Sequence, residues 1–249
     1  MRQLFPDLVE PVEPDDAYAG RAADPPAGRP YVVVNMVSSV DGATTVGGVS
    51  GGLGGAADRR VFLALRGLAD AVLVGAQTVR AEGYGPPRLD PAAVQRRQAR
   101  GQPPLPRIAV VSRSLGFDWS SALFADGATR PIVLAPAAAD PAGLDRARER
   151  ADVVVAGRDT VDLAEALAAL ARLGTGRVLC EGGPTLAGTL VAGGLVDELC
   201  LTLSPTLVGG AGARILNAPG VEVPFGLALV HVLEQDGFLF LRYARPGPR

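Results

Sequence analysis

Residues 178–190, VLCEGGPTLAGTL, place a carboxylate and two glycines between two apolar runs. Glu181 follows a strand-like run, and Gly182 and Gly183 leave room for a ligand close to the backbone. Pro184 suits the first position of a helix, because that position needs no N–H donor. Helix N-termini bind phosphate groups, so the turn predicts a phosphate site beside a carboxylate that orients a second ligand. The alternative is a tight strand–helix turn that binds nothing.

Two arginines and a serine form a second candidate group. Arg66 lies at the border of the apolar face of its helix, and Ser50 and Arg88 lie in loops. Guanidinium groups hold phosphate oxygens bidentately, so the three residues could clamp a phosphate. Taken alone, Arg66 is more simply a solvated surface residue.

The segment VLVGAQTVRAEGYG repeats the pattern of a strand followed by a glycine. Gly75 ends the strand, and Thr78 and Glu82 follow one helical turn apart. Neither this segment nor the EGGPT turn fits G-x-G-x-x-G, so a dinucleotide would not bind here through the Rossmann fingerprint.

Several other kinds of chemistry are excluded by residue types. All 24 basic residues are Arg, which excludes a Schiff-base or Walker-type lysine. His231 is the one histidine and sits in an alternating apolar run, so we predict a structural role. Cys180 and Cys200 lie in strand-like runs without C-x-x-C spacing, so we predict core packing and no metal site.

The composition favours a protein that acts on small molecules. The chain has 249 residues, 48% of them hydrophobic, and a formal charge of −2. It has no apolar run long enough for a membrane span and no leader pattern at Met1, so we expect a soluble, cytoplasmic protein. Positive charges are spread along the chain, which predicts neither nucleic-acid nor membrane binding.

Strand and helix patterns alternate through the chain. Apolar runs predict strands at 31–37, 71–75, 107–112, 131–135, 152–156, 177–180 and 197–204. Helical patterns lie between them, one beginning at Asp58 as N-cap and one carrying Leu163, Leu167 and Leu170. The alternation predicts a three-layer α/β fold, with a mostly parallel central sheet and helices on both faces. Two strand runs around Gln235-Asp236-Gly237 predict a C-terminal antiparallel hairpin.

The two Pro-rich segments are predicted to lie outside this core. Residues 1–29 are rich in Pro, Asp and Glu and predict an extended N-terminal arm, so residues 30–249 would form a single domain. Residues 86–106 are rich in Pro and Arg and predict an excursion on the surface.

Three segments together resemble the reductase domain of riboflavin biosynthesis, which has a dihydrofolate-reductase-like fold. They are RPYVVVNMVSSVDG, GVSGGLGGAADRRVFLALRGLADAVLVGAQTVRAEGYG and VLCEGGPTLAGTLVAGGLVDELCLTLSPTLVGG. The resemblance runs from about Arg29 to the C-terminal hairpin and is strongest to stand-alone actinobacterial pyrimidine reductases. It implies a homodimer that uses NADPH to reduce 5-amino-6-(5-phosphoribosylamino)uracil to its ribitylamino product.

The resemblance also implies residue roles. Cofactor contacts would come from Val37, Gly52, Gly75, Thr78, Glu82 and Ser112. Further cofactor contacts would come from a turn that extends to Thr189, through Gly182, Gly183, Pro184, Thr185 and Leu186. Substrate contacts would come from Asn35, Ser50, Arg66, Arg88 and Glu181, with the two arginines on the phosphate. Glu181 and Glu82 are the candidates for the proton donor, and Arg113 is a candidate partner for the cofactor 2′-phosphate.

The chain departs from the fused bacterial enzymes in three respects. Their zinc deaminase domain needs a His and paired Cys that this sequence cannot supply. Asn35 stands where those enzymes tend to have Lys, and Glu82 stands where Asp is common. Two alternatives stay open: a dihydrofolate or pterin reductase, in which Asp58 could protonate the ring, and a non-catalytic nucleotide sensor.

Overall fold

The computed structural model describes residues 1–19, 25–125, 127, 129–218, 224 and 226–246. The strands of these residues are β1 (Arg2–Phe5), β2 (Tyr31–Ser39), β3 (Ala71–Gly75), β4 (Arg107–Val111), β5 (Ile132–Ala135), β6 (Asp152–Val155), β7 (Arg177–Cys180), β8 (Glu198–Ser204), β9 (Ala228–Gln235) and β10 (Phe238–Ala244). The helices are α1 (Pro14–Ala19), α2 (Ala56–Leu68), α3 (Ala76–Ala81), α4 (Pro91–Ala99), α5 (Ala122–Ala125), α6 (Pro141–Arg150), α7 (Leu163–Arg172) and α8 (Pro184–Ala192), with a 3₁₀ turn at Ser50–Gly52.

The chain divides into two compact units. The first unit comprises residues 1–23, 32–65 and 180–249, and the second comprises residues 24–31 and 66–179. The boundary between residues 65 and 66 falls within α2, so Arg66 and the end of that helix belong to the second unit.

The first unit arranges its strands in the order β1, β9, β10, β8, β2. β2 and β8 are parallel, and the remaining neighbours pair antiparallel. The predicted C-terminal hairpin is confirmed, because β9 and β10 are joined by Asp236 and Gly237, with φ of 55° and 81°. Positive φ at both positions suits a two-residue hairpin turn.

The second unit arranges its strands in the order β7, β3, β4, β5, β6. The pairs from β3 to β6 are parallel, beginning with Ala71 opposite Arg107. Val72, Ile108 and Val133 are fully or almost fully buried in these strands, as expected where helices cover a parallel sheet. The predicted fold class, mostly parallel α/β with flanking helices and antiparallel C-terminal strands, is confirmed.

α7 shows how local signals fix a helix here. Leu163, Leu167 and Leu170 form the predicted buried stripe. The Asp162 carboxylate accepts hydrogen bonds from the first-turn N–H groups of the helix. Gly174, with φ of +84°, follows its end and provides a left-handed position at low steric cost.

The N-terminal segment carries its own secondary structure. β1 pairs with β9, and Arg2 forms an ion pair of 2.6 Å with Glu234. Tyr18, in α1, is 1% exposed. The predicted boundary between an arm, residues 1–29, and a single domain, residues 30–249, stays a prediction, and residues 20–24 lie outside the described residues.

Residues 86–106 are mostly exposed, as predicted for a surface excursion, and they also contain a helix with a buried arginine. The segment contains α4, whose N-terminus is capped by the Asp90 carboxylate and begins with Pro91. Arg97 on this helix has 0% exposure. Arg97 departs from the exposure of its neighbours because it finds backbone acceptors inside the second unit.

Candidate active site

The turn between β7 and α8 contains the predicted carboxylate and glycines. β7 ends at Cys180, and Glu181 follows it in a half-buried position. Gly182 has φ of +90°, and its peptide bond to Gly183 is cis. Gly183 is the N-cap of α8 and Pro184 its first residue, as the sequence predicted. A buried strand and a nine-residue helix therefore hold Glu181 at the carboxyl end of a strand.

α8 directs its N-terminus toward this turn. No side chain caps the helix at Gly183, and the N–H group of Ala187 already bonds the Gly183 carbonyl at 3.0 Å. The N–H groups of Thr185 and Leu186, in the first turn, have no intrahelical acceptor. They add to the partial positive charge of the helix end, which favours an anionic ligand.

Gly182 packs tightly against β2. A Cβ atom built at this position would lie 3.2 Å from Sδ of Met36, and its φ of +90° strains any L side chain. The positive φ of Gly182 and the nearby Met36 side chain, both within the first unit, therefore disfavour a side chain at this position.

Gly182→Ala is expected to lower the free energy of unfolding by about 1–3 kcal/mol, because it combines backbone strain with a close contact. Thermal and denaturant unfolding measure this change. Gly226→Ala is the matched control, since Gly226 has an ordinary φ and open space around its Cβ position. Equal stability of both variants would contradict the packing described for Gly182.

β2 presents Asn35 and Val37 as its two partly exposed positions, while its other residues are buried. The two residues lie on one face of the strand, because side chains alternate along it. They stand opposite Cys200 and Thr202 of β8 in the parallel register. The structure thus places both residues on the same face of β2, opposite to the face of Met36, whose side chain contacts the Gly182 turn.

Asp41, in the loop after β2, lines a cavity and was assigned no role from the sequence. Its carboxylate accepts a hydrogen bond from Ser39 Oγ and from the N–H groups of Val208 and Gly209. These bonds, with that from Ser39 the strongest influence, lower the pKa of Asp41. The aspartate of the SSVDG motif thereby ties the loop after β2 to the loop after β8.

A cavity of about 430 Å³ opens beside this contact. It lies beyond the carboxyl ends of β2 and β8, where Ser39 and Ser204 are paired. The cavity is lined by Ser38 of β2 and by residues of the two loops: Asp41, Gly42, Ala43, Gly209, Gly210, Gly212, Arg214 and Ile215. Carboxyl ends of parallel strands are the usual ligand-binding edge of α/β sheets.

Ser50 and Gly52 lie in the 3₁₀ turn that precedes α2. A Cβ atom at Gly52 would lie 2.9 Å from Cβ of Val46, so only glycine fits without a shift of the loop. Val46 and Val49 pair through two backbone hydrogen bonds, which hold this loop in place. Gly52 therefore packs closely against the Val46 side chain, and its cofactor contact stays a prediction.

Asp58 is not the N-cap of its helix, which corrects the prediction. α2 begins at Ala56, so Asp58 lies inside the first turn. A carboxylate is also favourable there, because of the helix dipole. Thr202 donates a hydrogen bond to Asp58, and burial raises the pKa of the Asp58 carboxyl despite this bond.

The second unit holds the other predicted cofactor contacts at the end of β3. Gly75 is the N-cap of α3, with an extended conformation. Thr78 is half-buried within α3, and its carbonyl accepts the N–H group of Glu82, the exposed C-cap residue. Thr78 and Glu82 therefore lie one turn apart, as predicted.

Arg66 occupies a half-buried position near the end of α2. Its guanidinium carbon lies 5.6 Å from the ring centroid of Tyr84, a cation–π distance. Arg88 follows four residues after Tyr84 and is exposed. The described contacts connect Arg66 to the segment that leads to Arg88, and the proposed clamp between the two arginines stays a prediction.

Ser112 directly follows β4 and is buried. Its N–H group bonds the Leu134 carbonyl, and its Oγ accepts the N–H group of Leu115. The side chain therefore fixes the turn after the strand. Arg113, the candidate partner for the cofactor 2′-phosphate, is exposed at the start of this turn.

The histidine and the two cysteines are structural, as predicted. Burial raises the pKa of the Cys180 thiol to about 12, which leaves it protonated and unreactive. Cys200 is also buried and free of any disulfide. His231 is 3% exposed and meets the Tyr18 ring edge-on at 4.7 Å.

Among the described residues, no three His, Cys, Asp or Glu side chains are grouped so that they could hold a metal ion. No helix in the same part of the chain has the length and apolarity to cross a membrane.

Residues 30–236 match the family model described as RibD C-terminal domain. The chain belongs to the RibD C-terminal domain family. The match includes every predicted site residue from Asn35 to Glu181 and the α8 turn. The predicted site residues are divided between the two units. The first unit contains Asn35, Val37, Ser50, Gly52, Glu181, Gly182, Gly183, Pro184, Thr185 and Leu186. The second unit contains Arg66, Gly75, Thr78, Glu82, Arg88 and Ser112.

Curated proteins and solved structures resemble the chain over most of its length. The 2,5-diamino-6-ribosylamino-4(3H)-pyrimidinone 5′-phosphate reductase of Methanothermobacter thermautotrophicus is 36% identical over 195 residues, 78% of this chain and 87% of that protein. The reductase of the same name from Archaeoglobus fulgidus is 32% identical over 73% of this chain and 83% of its own. A pyrimidine reductase-like protein of Corynebacterium diphtheriae has a similar structure, with a TM-score of 0.83 and 29% identity, covering 95% of this chain and 100% of that one.

Proposed function

We propose that this chain is an NADPH-dependent reductase of a phosphorylated pyrimidine ribosylamine in riboflavin biosynthesis. The observation that carries the proposal is the β7–α8 turn, in which Glu181 stands at a strand end beside an uncapped helix N-terminus. Such a place offers a carboxylate to one ligand and backbone N–H groups to another. Family membership supports the same reaction, since the archaeal relatives are named as reductases of this kind.

Two pyrimidines are candidates for the substrate. The resemblance to the reductase domain of riboflavin biosynthesis implies 5-amino-6-(5-phosphoribosylamino)uracil, whereas the archaeal relatives are named for the 2,5-diaminopyrimidinone. The two rings differ at C2, where one has a carbonyl and the other an amino group. Both carry the same ribosylamine 5-phosphate, so the groups that bind phosphate and sugar serve either ring.

The first unit offers features that fit a nicotinamide dinucleotide. The first turn of α8 provides N–H donors for a phosphate, and the positive φ of Gly182 disfavours a side chain there. We assign the cofactor to Val37, Gly52 and the turn from Gly183 to Thr189. The roles implied for Gly75, Thr78, Glu82 and Ser112 stay predictions.

The reaction needs one hydride and one proton at the C1′–N bond of the sugar. The ribosylamine ring first opens to an imine, with a proton moving to the ring oxygen. When bound, NADPH supplies the hydride that C1′ accepts. Glu181 then orients the amino nitrogen and delivers the proton that completes the amine. Glu82, exposed at the end of α3, is the second candidate for this proton transfer.

Arg66 and Arg88 are proposed to bind the 5-phosphate, and Ser50 and Asn35 to contact the substrate. The cation–π contact between Arg66 and Tyr84 supports this role, because it orients the guanidinium. The expected homodimer and cytoplasmic location belong to this proposal as well, and analytical ultracentrifugation of the purified chain tests the first.

The proposal is tested by oxidation of NADPH and NADH with three acceptors: each of the two pyrimidines and dihydrofolate. Turnover of at least one pyrimidine with NADPH, and none with dihydrofolate, is expected. Turnover of dihydrofolate alone would make the chain a pterin reductase, in which the half-buried Asp58 becomes the candidate acid. Tight NADPH binding without turnover of any acceptor would indicate a nucleotide sensor.

A further inference from the structure

The C-terminus of α2 is closed by side chains from a distant segment of the second unit. The last four carbonyls of a helix have no intrahelical donor. Here the donors come from residues 97–102: Arg97 Nη1 to the carbonyls of Arg66 at 3.4 Å, Gly67 at 3.2 Å and Ala69; Arg100 Nη2 to Gly67 at 2.7 Å; and Gln102 Nε2 to Leu68 at 3.2 Å. We call these three side chains the α2 clamp.

Arg97 is the buried centre of the α2 clamp. Its side chain has 0% exposure, and its Nε also donates to the Pro103 carbonyl at 2.9 Å. Burial lowers the pKa of this guanidinium, while the nearby Asp70 carboxylate opposes that change. A buried cation needs such compensation, and the negative end of α2 supplies more of it. Because burying the Arg97 charge is costly, its position indicates that the main role of the clamp is to bind the carbonyls at the end of α2.

The clamped turn is the one that carries Arg66. The Arg66 carbonyl is itself an acceptor of Arg97, and the next two carbonyls are also held. The Arg66 side chain leaves this turn and reaches the Tyr84 ring at 5.6 Å. Helix ends fray when their terminal groups lack partners, so the clamp limits the directions that the Arg66 guanidinium can take.

We propose that Arg97 is a positioning residue for phosphate binding: through the α2 clamp it holds the last turn of α2 so that Arg66 meets the substrate phosphate in one orientation. The inference rests on the proposed function, in which Arg66 binds the ribose 5-phosphate. The three side chains of the α2 clamp thereby act on a ligand that they do not touch, as supporting residues commonly do at binding sites.

Calorimetric binding of ribose 5-phosphate and of ribose to the full chain tests the proposal. Arg97→Lys keeps a positive charge but cannot reach three carbonyls at once, and we expect it to weaken ribose 5-phosphate binding about tenfold without changing ribose binding. Arg100→Ala removes one exposed donor to Gly67, and a smaller loss in the same direction is expected. Arg96→Ala, an exposed arginine of the same helix, is the matched control.

A double-mutant cycle with Arg66→Ala separates positioning from general stability. In the Arg66→Ala background, Arg97→Lys should leave the remaining affinity for ribose 5-phosphate unchanged. Loss of thermal stability in Arg97→Lys and Arg100→Ala with wild-type affinity for ribose 5-phosphate would overturn the proposal. If Arg66→Ala binds as tightly as wild type, the proposal and the phosphate role of Arg66 both fall, whereas pyrimidine turnover by the wild-type chain would still support the reductase function.

Discussion

Glu181→Gln is expected to lower kcat about 100-fold, because the amide keeps the shape of the side chain and cannot deliver a proton. Glu181 is half-buried at the end of β7, and its neighbours come from a rigid strand and helix. The substitution should therefore leave the fold intact. Since the lost interaction belongs to the transition state, kcat and kcat/KM should fall by similar factors. Steady-state kinetics with saturating NADPH measure both.

Glu82→Gln is the matched variant for this experiment. Glu82 is the other candidate donor, in an exposed position at the end of α3. A small effect of Glu82→Gln beside a large effect of Glu181→Gln would assign the proton transfer to Glu181. Unchanged kcat in Glu181→Gln at saturating substrate would remove it from that role.

The second large effect is a fall in the free energy of unfolding as the pH is lowered. His231 is buried between Tyr18 of α1, Arg242 of β10 and Glu198 of β8. Burial, followed by repulsion from Arg242, lowers the pKa of His231 from 6.5 to about 4, although Glu198 opposes the shift. Glu198 is largely engaged by Arg242, at 2.8 Å. The folded protein therefore keeps a neutral imidazole well below the pH at which an unfolded chain protonates it.

The sign of the effect follows from proton counting. Between pH 6.5 and about 4 the unfolded state binds a proton at His231 that the folded state does not. The free energy of unfolding should therefore fall as the pH falls through this range, by about 3 kcal/mol from this group. Well above pH 6.5, His231 is neutral in both the folded and the unfolded state, and its contribution to the pH dependence of stability vanishes.

His231→Gln isolates this contribution, because the amide has a similar size and does not titrate. Denaturant unfolding of wild type and variant between pH 7.5 and 4 gives the difference in stability at each pH. We expect the advantage of wild type over the variant to shrink by about 3 kcal/mol across the range. A difference that stays constant would show that His231 titrates alike in both states.

Local signals explain which elements the sequence predicts well. The hairpin at Asp236 and Gly237 and the helix α7 are each specified by neighbouring residues: turn residues in one case, an N-cap and an apolar stripe in the other. Asp58 shows where such signals become ambiguous. Aspartate is favourable both at the N-cap and in the first turn, so its type does not fix the start of α2.

Long-range contacts explain what the sequence did not predict. Arg97 is buried because it meets carbonyls about 30 residues upstream, and no periodicity announces such partners. β1 forms by pairing with β9 at the other end of the chain. The role of Asp41 likewise depends on the loop at Val208 and Gly209, although its motif was visible. Glu181 and its glycines were predictable because one strand–helix turn contains them all.

The most direct test of the proposed reaction follows the hydrogen that reaches the sugar. Incubation of the chain with the pyrimidine ribosylamine phosphate and NADPH deuterated at C4 of the nicotinamide, on each face in turn, is followed by NMR of the product. We expect one deuterium at C1′ of the ribityl chain with one of the two labelled cofactors. A reduced pyrimidine without deuterium at C1′ from either cofactor would contradict the account.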